Sequence, residues 1–342
     1  VTAGAGVTGP GLAAAVDGWV SPRSGQALAW DAGRTVLATA TGDERFGCLA
    51  ADIPDFRDGS PGLDAAEVAS VRRRLDEWWR RTEAEPPAPP GLVPGSAADG
   101  RRFWRRTARV EALAYLRWCL RGRPRYTQRD SMERYRTVTD VYPNAERRRV
   151  TVLTGDRVAT APLMTFKRLT LEPMLGLIDR ADVRSVLDFG CGWGANTIAL
   201  RQLRPALTVW SFDLSPQRVL ATGFNLERLG LAPHRLFVAD GCRLPLPDGA
   251  VDLVLSTHVL EQMAEVLDLA LAEIRRVARR FAWHVEPTYR FARWAHRLRM
   301  RRLGYPRDIG GRAARLGWTV LEHRLASPAW GATPGELIVL RK

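Results

Sequence analysis

Val186-Leu187-Asp188-Phe189-Gly190-Cys191-Gly192-Trp193-Gly194 is an apolar run that ends in a carboxylate and then in three glycines at alternate positions. The apolar run reads as a buried strand and the glycines as a tight turn, whose backbone can pass close to a ligand because no Cβ intervenes. A strand, a glycine turn and a helix are also the parts of nucleotide-binding α/β folds. From residue 184 onward strand-like and helix-like runs alternate. Residues 185–189, 208–212, 235–239, 253–257 and 281–285 read as strands, which specifies a parallel sheet with helices on both faces. Residues 318–324 and 336–341 follow, joined by a turn-rich connection too short for a helical crossover, so this last pair is expected to be antiparallel.

Spacing narrows the ligand. Dinucleotide-binding loops place their last glycine differently, whereas Asp188 followed by Gly190, Gly192 and Gly194 resembles the first motif of class I S-adenosylmethionine-dependent methyltransferases. Three further passages resemble that family in the expected order. They are Phe212-Asp213-Leu214, then Val238-Ala239-Asp240-Gly241, then the stretch from Leu244-Pro245 through Asp252-Leu253-Val254 into Ser256-Thr257-His258-Val259-Leu260-Glu261. The resemblance implies a Rossmann-like sheet, mostly parallel with an antiparallel last strand, and S-adenosylmethionine as cofactor. It implies Asp213 as the acceptor for both ribose hydroxyls, Asp240 at the adenine amino group, and Leu214, Gly241 and Thr257 beside them. Asp188 would meet the ammonium of the methionine part or order the loop. One departure is visible: the family's Pro-Gly-Gly turn before the fifth strand is replaced by Val277-Ala278-Arg279-Arg280-Phe281.

Chemistry is less fully marked. His258, where the fourth strand opens, is a candidate general base or substrate ligand, or it shapes the pocket. Glu286, at the end of the fifth strand, is a candidate for binding an amine or hydroxyl, or a helix-capping carboxylate. Arg290, Arg293 and Arg297 belong to a segment crowded with arginine, read either as an amphipathic lid with a solvated face or as an anion clamp on the substrate. Tyr135, Arg136 and Tyr142 could close the pocket from the other side.

The rest divides into a unit over 1–85 (a small β-rich module and a helix over 63–85), a Pro/Gly-rich exposed linker over 86–100, and a domain over 101–342. In that domain 101–180 is a helical substrate cap and 181–342 the core. Residues 1–15 lack the basic start and compact apolar run of a secretory signal and read as a disordered leader. Trp19-Val20-Ser21-Pro22 and the later Ile53-Pro54-Asp55-Phe56 resemble the Trm112-like zinc-ribbon family, but the four metal positions fall on Ser21, Ser24, Ala38 and Thr41, so no zinc is expected. The resemblance implies that this module docks on the chain's own catalytic domain and stabilises it.

Bulk properties set the outer limits. Hydrophobic residues make up 46% and charged residues 26%, and no apolar run approaches a membrane span. Cys48, Cys119, Cys191 and Cys242 stand far apart, which fits a reducing cytoplasm rather than a disulfide framework. Net charge is +14, favouring acidic partners, yet Lys167 and Lys342 are the only lysines, and such a preference for arginine also follows from GC-rich coding. The leading expectation is methyl transfer to a small anionic metabolite in a natural-product pathway. A second is ring closure on the same fold without the cofactor, an amine displacing a sulfate-type leaving group, as in the aziridine-forming proteins of azinomycin-type biosynthesis that the tethered module resembles. A third is methylation of RNA, less expected because no nucleic-acid motif accompanies the charge.

Overall fold

The computed structural model describes residues 18–31, 36–49, 53–57, 63–124, 127, 140–155, 157–231, 235–287, 289–331 and 333–342. The leader expected over 1–15 lies outside the described residues. β1 (Leu28–Trp30), β2 (Val36–Thr39) and β3 (Arg45–Gly47) form an antiparallel sheet in that order. At its turns the hydroxyls of Ser21 and Ser24 both donate to Glu44 Oε2, and the Thr39 and Thr41 hydroxyls lie 3.2 Å apart. Hydroxyls and one carboxylate therefore join the two turns.

α1 (Ala65–Glu83) begins on a capping box in which Asp64 and Glu67 satisfy each other's free N–H groups, and it buries Val71, Leu75 and Trp79, one per turn. The Pro/Gly-rich stretch after it is largely exposed, as its composition suggests, but it also carries a short strand and a helix start. β4 (Val93–Pro94) pairs with Ala159 and Thr160, and Ser96, boxed with Asp99, starts α2 (Ala97–Leu120). Proline is tolerated there because β4 is an edge strand. α3 (Tyr142–Arg147), β5 (Arg149–Thr154), β6 (Arg157–Pro162) and α4 (Leu163–Arg180) follow, so the region read as a helical cap contains a sheet as well.

The core runs β7 (Ser185–Phe189), α5 (Ala195–Leu203), β8 (Thr208–Asp213), α6 (Pro216–Arg228), β9 (Arg235–Val238), β10 (Val251–Thr257), α7 (Leu267–Val277) and β11 (Ala278–Pro287). Then come α8 (Trp294–Arg302), α9 (Ile309–Arg315), β12 (Thr319–Leu325), β13 (Ala329–Trp330) and β14 (Gly335–Arg341). The main sheet has the order β12-β14-β11-β10-β7-β8-β9. β11, β10, β7, β8 and β9 are mutually parallel, and β14 is antiparallel to both β11 and β12. α7 passes into β11 at Val277–Ala278 with no turn between them, which is how the chain dispenses with glycines there. β13 leaves the β12–β14 connection to pair with β5, giving a second sheet of order β13-β5-β6-β4. Because β7 and β10 are neighbours but lead to opposite halves of the sheet, the strand order reverses between them. Their carboxyl ends flank the crevice where such sheets bind ligands.

The N-terminal unit meets the core at the free edge of β9. Asp55 bridges Val238 in parallel, with Phe56 N–H donating to Val238 O at 2.8 Å and Val238 N–H to Pro54 O at 2.9 Å. Residues 54–56 thus extend the sheet and cover an edge that would otherwise present unpaired backbone groups. Trp19 fills the space behind them, its ring 5.2 Å from Phe56, 5.2 Å from Trp210 and 5.1 Å from Phe237. Further along, α1 lies on α6, where buried Trp79 Nε1 donates to Asn225 Oδ1 at 2.8 Å. Among the described residues no helix is long and apolar enough to cross a membrane. Replacing Phe56, 3% exposed, by alanine leaves a cavity in this seam and is expected to cost about 3–5 kcal/mol, read as a lower denaturant midpoint. An unchanged midpoint would show that the seam contributes nothing to stability.

Candidate functional site

Asp188 ends β7 with no exposed surface. Its Oδ2 accepts from the Thr197 hydroxyl at 2.7 Å and its Oδ1 from Asn196 Nδ2 at 3.3 Å, both in the first turn of α5. Burial raises its pKa, and these hydrogen bonds act in the opposite sense. These bonds hold the start of α5 against the end of β7 and so border the glycine loop on both sides. Between Asp188 and α5 the backbone of Gly190, Gly192 and Gly194 is left-handed. A Cβ at Gly190 would stand 2.7 Å from Val259 Cγ1, and one at Gly194 2.8 Å from Thr222 Cγ2, so side chains are excluded by space as well as by φ.

The carboxylates expected at the ends of the next two strands are both at the crevice. Asp213 Oδ2 accepts from Gly192 N–H and Oδ1 from Ser215 N–H, each at 2.9 Å, which ties the second strand end to the glycine loop and leaves further lone pairs. Leu214 follows it. Asp240 is exposed and accepts from Cys242 N–H at 2.9 Å. A Cβ on the adjoining Gly241 would overlap the Phe189 ring at 2.4 Å from Cζ. At the end of β10, Thr257 Oγ1 accepts from Asn196 Nδ2 at 2.9 Å and from Lys167 Nζ at 3.0 Å. Burial lowers the pKa of the Lys167 ammonium, while the charges of Asp188, Glu286 and Glu261 raise it. Lys167 was missed in the sequence, although it stands out as one of two lysines among so many arginines.

His258 takes a left-handed backbone conformation, φ +59°, rare for a residue with a side chain. Its N–H donates to Val285 O at 3.1 Å, and its Nδ1 lies 3.1 Å from Glu261 Oε2. Glu261 Oε1 in turn accepts from the Tyr305 hydroxyl at 3.0 Å. Nε2 of His258 is buried without a partner among the described residues, and the ring lies 6.2 Å from that of Trp330. In the sequence Glu261 is only the end of a motif; its role depends on a turn that the sequence does not announce.

Glu286 faces inward. It is fully buried and accepts from the Ser256 hydroxyl at 2.7 Å, from Val259 N–H at 3.0 Å and from Glu261 N–H at 3.3 Å. Val259 and Glu261 stand at the start of the short 3-10 helix Leu260–Gln262, so these bonds fit the capping alternative. It braces the turn that presents His258. Burial and the nearby Glu261 charge push its pKa up to about 7. The other flanking expectations sort similarly. Tyr142 commits its hydroxyl to Glu146, Arg168 and Gln202, with its ring stacked on Trp79, so it braces α1, α4 and α5 instead of closing a pocket. Tyr135 and Arg136 lie outside the described residues. Arg290 and Arg297 line a pocket of about 540 Å³ together with Arg301 and Arg307, whereas Arg293 lies over the Trp104 ring at 3.9 Å.

The crevice suits a nucleoside bearing an amino acid. Two carboxylates on adjacent strand ends match hydroxyl and amine donors, the glycine loop admits close approach, and Asn196 Oδ1 is a buried acceptor without a partner among the described residues, matching an ammonium. Among the described residues no group of His, Cys, Asp or Glu could hold a metal ion.

Residues 187–285 match the family model described as a methyltransferase domain. The chain is 34% identical over 90 residues to the release factor glutamine methyltransferase of Gloeobacter violaceus, covering 26% of this chain and 31% of that protein. It is 33% identical over 113 residues to the malonyl-[acyl-carrier protein] O-methyltransferase of Geobacter sulfurreducens, covering 32% and 41%. The chain thus spans less than half the length of the curated relatives it matches. Among solved structures, magnesium protoporphyrin IX methyltransferase from Synechocystis aligns with a TM-score of 0.43 at 16% identity, covering 52% of this chain and 85% of that one. Residues 187–285 are thus similar to a methyltransferase domain, and the fit of the crevice to a nucleoside bearing an amino acid agrees with S-adenosylmethionine as the cofactor.

Unfolded, Glu286 ionises near 4.5; folded, near 7, so the fold holds a proton that the unfolded chain has released. Stability from this group is complete below 4.5 and falls as pH rises through about 7. Glu286→Gln is expected to remove up to about 2–3 kcal/mol of that decline, measured as the urea midpoint across the range. A wild-type and variant difference that does not change with pH would contradict it.

Proposed function

We propose that the chain transfers the methyl group of S-adenosylmethionine to an O–H or N–H nucleophile on a small anionic metabolite of a biosynthetic pathway, with His258 as general base. The observation that carries this reading is the state of the imidazole. Nδ1 is held by Glu261, which orients the ring, and Nε2 is buried without a partner at the mouth of β10. An imidazole that donates from Nδ1 to a carboxylate presents a basic lone pair at Nε2. When bound, the cofactor supplies an electrophilic methyl group on a sulfonium. Asp213 and Asp240 would hold its nucleoside, and the glycine loop and the Asn196 amide its amino-acid end.

His258 Nε2 accepts the nucleophile's proton as that atom attacks, and Glu261 stabilises the resulting imidazolium. Tyr305 keeps Glu261 in place through its other oxygen. Glu286, by receiving the N–H groups of Val259 and Glu261, fixes the turn on which both catalytic side chains stand. Trp330, its ring 6.2 Å from the imidazole, stands beside the base, and alignment of the nucleophile with the sulfonium supplies much of the rate. The N-terminal unit acts as a tethered structural subunit of the kind the Trm112-like resemblance implies, supported by the pairing of residues 54–56 with β9.

Incubating the protein with methyl-labelled cofactor and a panel of acidic metabolites is expected to give a labelled product. His258→Ala should lower its formation by about 10²–10⁴-fold, with S-adenosylhomocysteine affinity unchanged by calorimetry. Asp213→Ala should instead weaken that affinity by about tenfold or more. Undiminished turnover in His258→Ala would remove the imidazole from the mechanism.

A further inference from the structure

The arginines of the α8 region are sorted into distinct environments. Arg299 and Arg302 reach Glu111 of α2 at 3.1 and 3.4 Å, and Arg293 lies on Trp104. These tie α8 to α2. Arg297 and Arg301 stand one turn apart on another face of α8 and line the pocket, joined there by Arg290 from the segment after β11 and Arg307 from the segment before α9. None of these four pairs with a carboxylate within 4 Å among the described residues, whereas most of the surrounding arginines do.

The remaining charged groups of the pocket are few. Asp308 lines it, and its Oδ1 already caps α9 by accepting from Gly311 N–H at 2.8 Å. His323 lines it too, with Nε2 engaged by Glu336. Arg307 also lies against the Tyr289 ring at 5.7 Å, and Arg290 against Phe291 at 5.5 Å. Four guanidinium groups therefore face one concavity against a single lining carboxylate. The four are solvent-exposed and so accessible to a ligand, and each guanidinium offers a planar fork of donors that fits two oxygens of a tetrahedral oxyanion. An excess of this size favours a dianion over a monoanion.

We infer that this pocket is a phosphate site, taking a phosphate monoester or diphosphate group of the substrate. Calling that ligand the substrate rests on the methyl-transfer reading above; the binding itself does not. Proximity supports the connection. Tyr305 lies between Arg301 and Arg307 in the chain and donates to Glu261, the carboxylate that holds His258. One short segment thus carries a pocket wall and a support of the proposed base.

Calorimetric titration of the full chain with phenyl phosphate and phenyl sulfate tests it, because the two probes share a shape and differ by about one charge near neutral pH. Phenyl phosphate is expected to bind saturably and about tenfold or more tighter than phenyl sulfate. Arg301→Gln and Arg307→Gln should each weaken it about tenfold, with melting midpoints checking the fold. Should either variant fail to fold, phenylglyoxal labelling of the wild-type chain gives a second readout. Mass spectrometry should then find Arg297, Arg301 and Arg307 protected by phenyl phosphate. No saturable binding, equal affinity for the two probes, or unprotected pocket arginines would overturn the assignment. S-adenosylhomocysteine titrated into the same preparation separates the two ideas: its failure to bind alongside bound phenyl phosphate would remove the methyl-transfer reading and leave the phosphate site standing.

Discussion

Burying the Asp188 carboxylate at the end of β7 obliges its surroundings to supply donors, and the site is built from that obligation. Asn196 and Thr197 meet the two oxygens from α5, which pins the helix start to the strand and leaves residues 190–194 to turn between them, with left-handed backbone at three glycines. Asn196 also reaches Thr257, and Thr257 receives Lys167 from α4. One buried charge thus links a strand end, a helix start, the neighbouring strand and the cap. In a low-dielectric interior such a network is stiff because releasing any member leaves a polar group without a partner.

Much of the core could be read from the chain because its strands are short apolar runs separated by helical periods, and the glycine spacing carries steric information directly. All seven strands of the main sheet lie within a few residues of where the apolar runs place them. The second sheet was only partly legible, for a physical reason. Its edge strands β4 and β13 are two residues each, and β4 contains a proline, so neither leaves a periodic trace, whereas the six-residue β5 alternates over Arg149–Val152 and was overlooked. The same holds at the site. Asp188, Asp213 and Asp240 occupy fixed places after strands and could be named. The His258–Glu261 contact depends on one left-handed residue without a glycine to mark it, and the inward turn of Glu286 depends on what packs above β11.

Arginine content shows how a bulk property divides once the chain is folded. A net charge of +14 suggests a polyanion, yet many guanidiniums serve as braces. Arg147 spans to the carbonyls of Glu83 and Glu85, Arg276 to those of Leu244 and Leu246, and Arg204 pairs with Asp179. Arg290, Arg297, Arg301 and Arg307 matter because they share a concavity, which charge counting alone cannot reveal.

The covering of the β9 edge by residues 54–56 also has a temporal side. The strand that completes the sheet precedes, in order of synthesis, the sheet it completes, and most of the chain separates the two. While the cap and the first core strands are being made, Trp19 and Phe56 have no Trp210 or Phe237 to pack against. The N-terminal unit must therefore wait, with its aromatic face unburied, until β9 has left the ribosome. Fusion of the two units guarantees their stoichiometry, and it leaves the aromatic face of the first unit without its partners until the second is made.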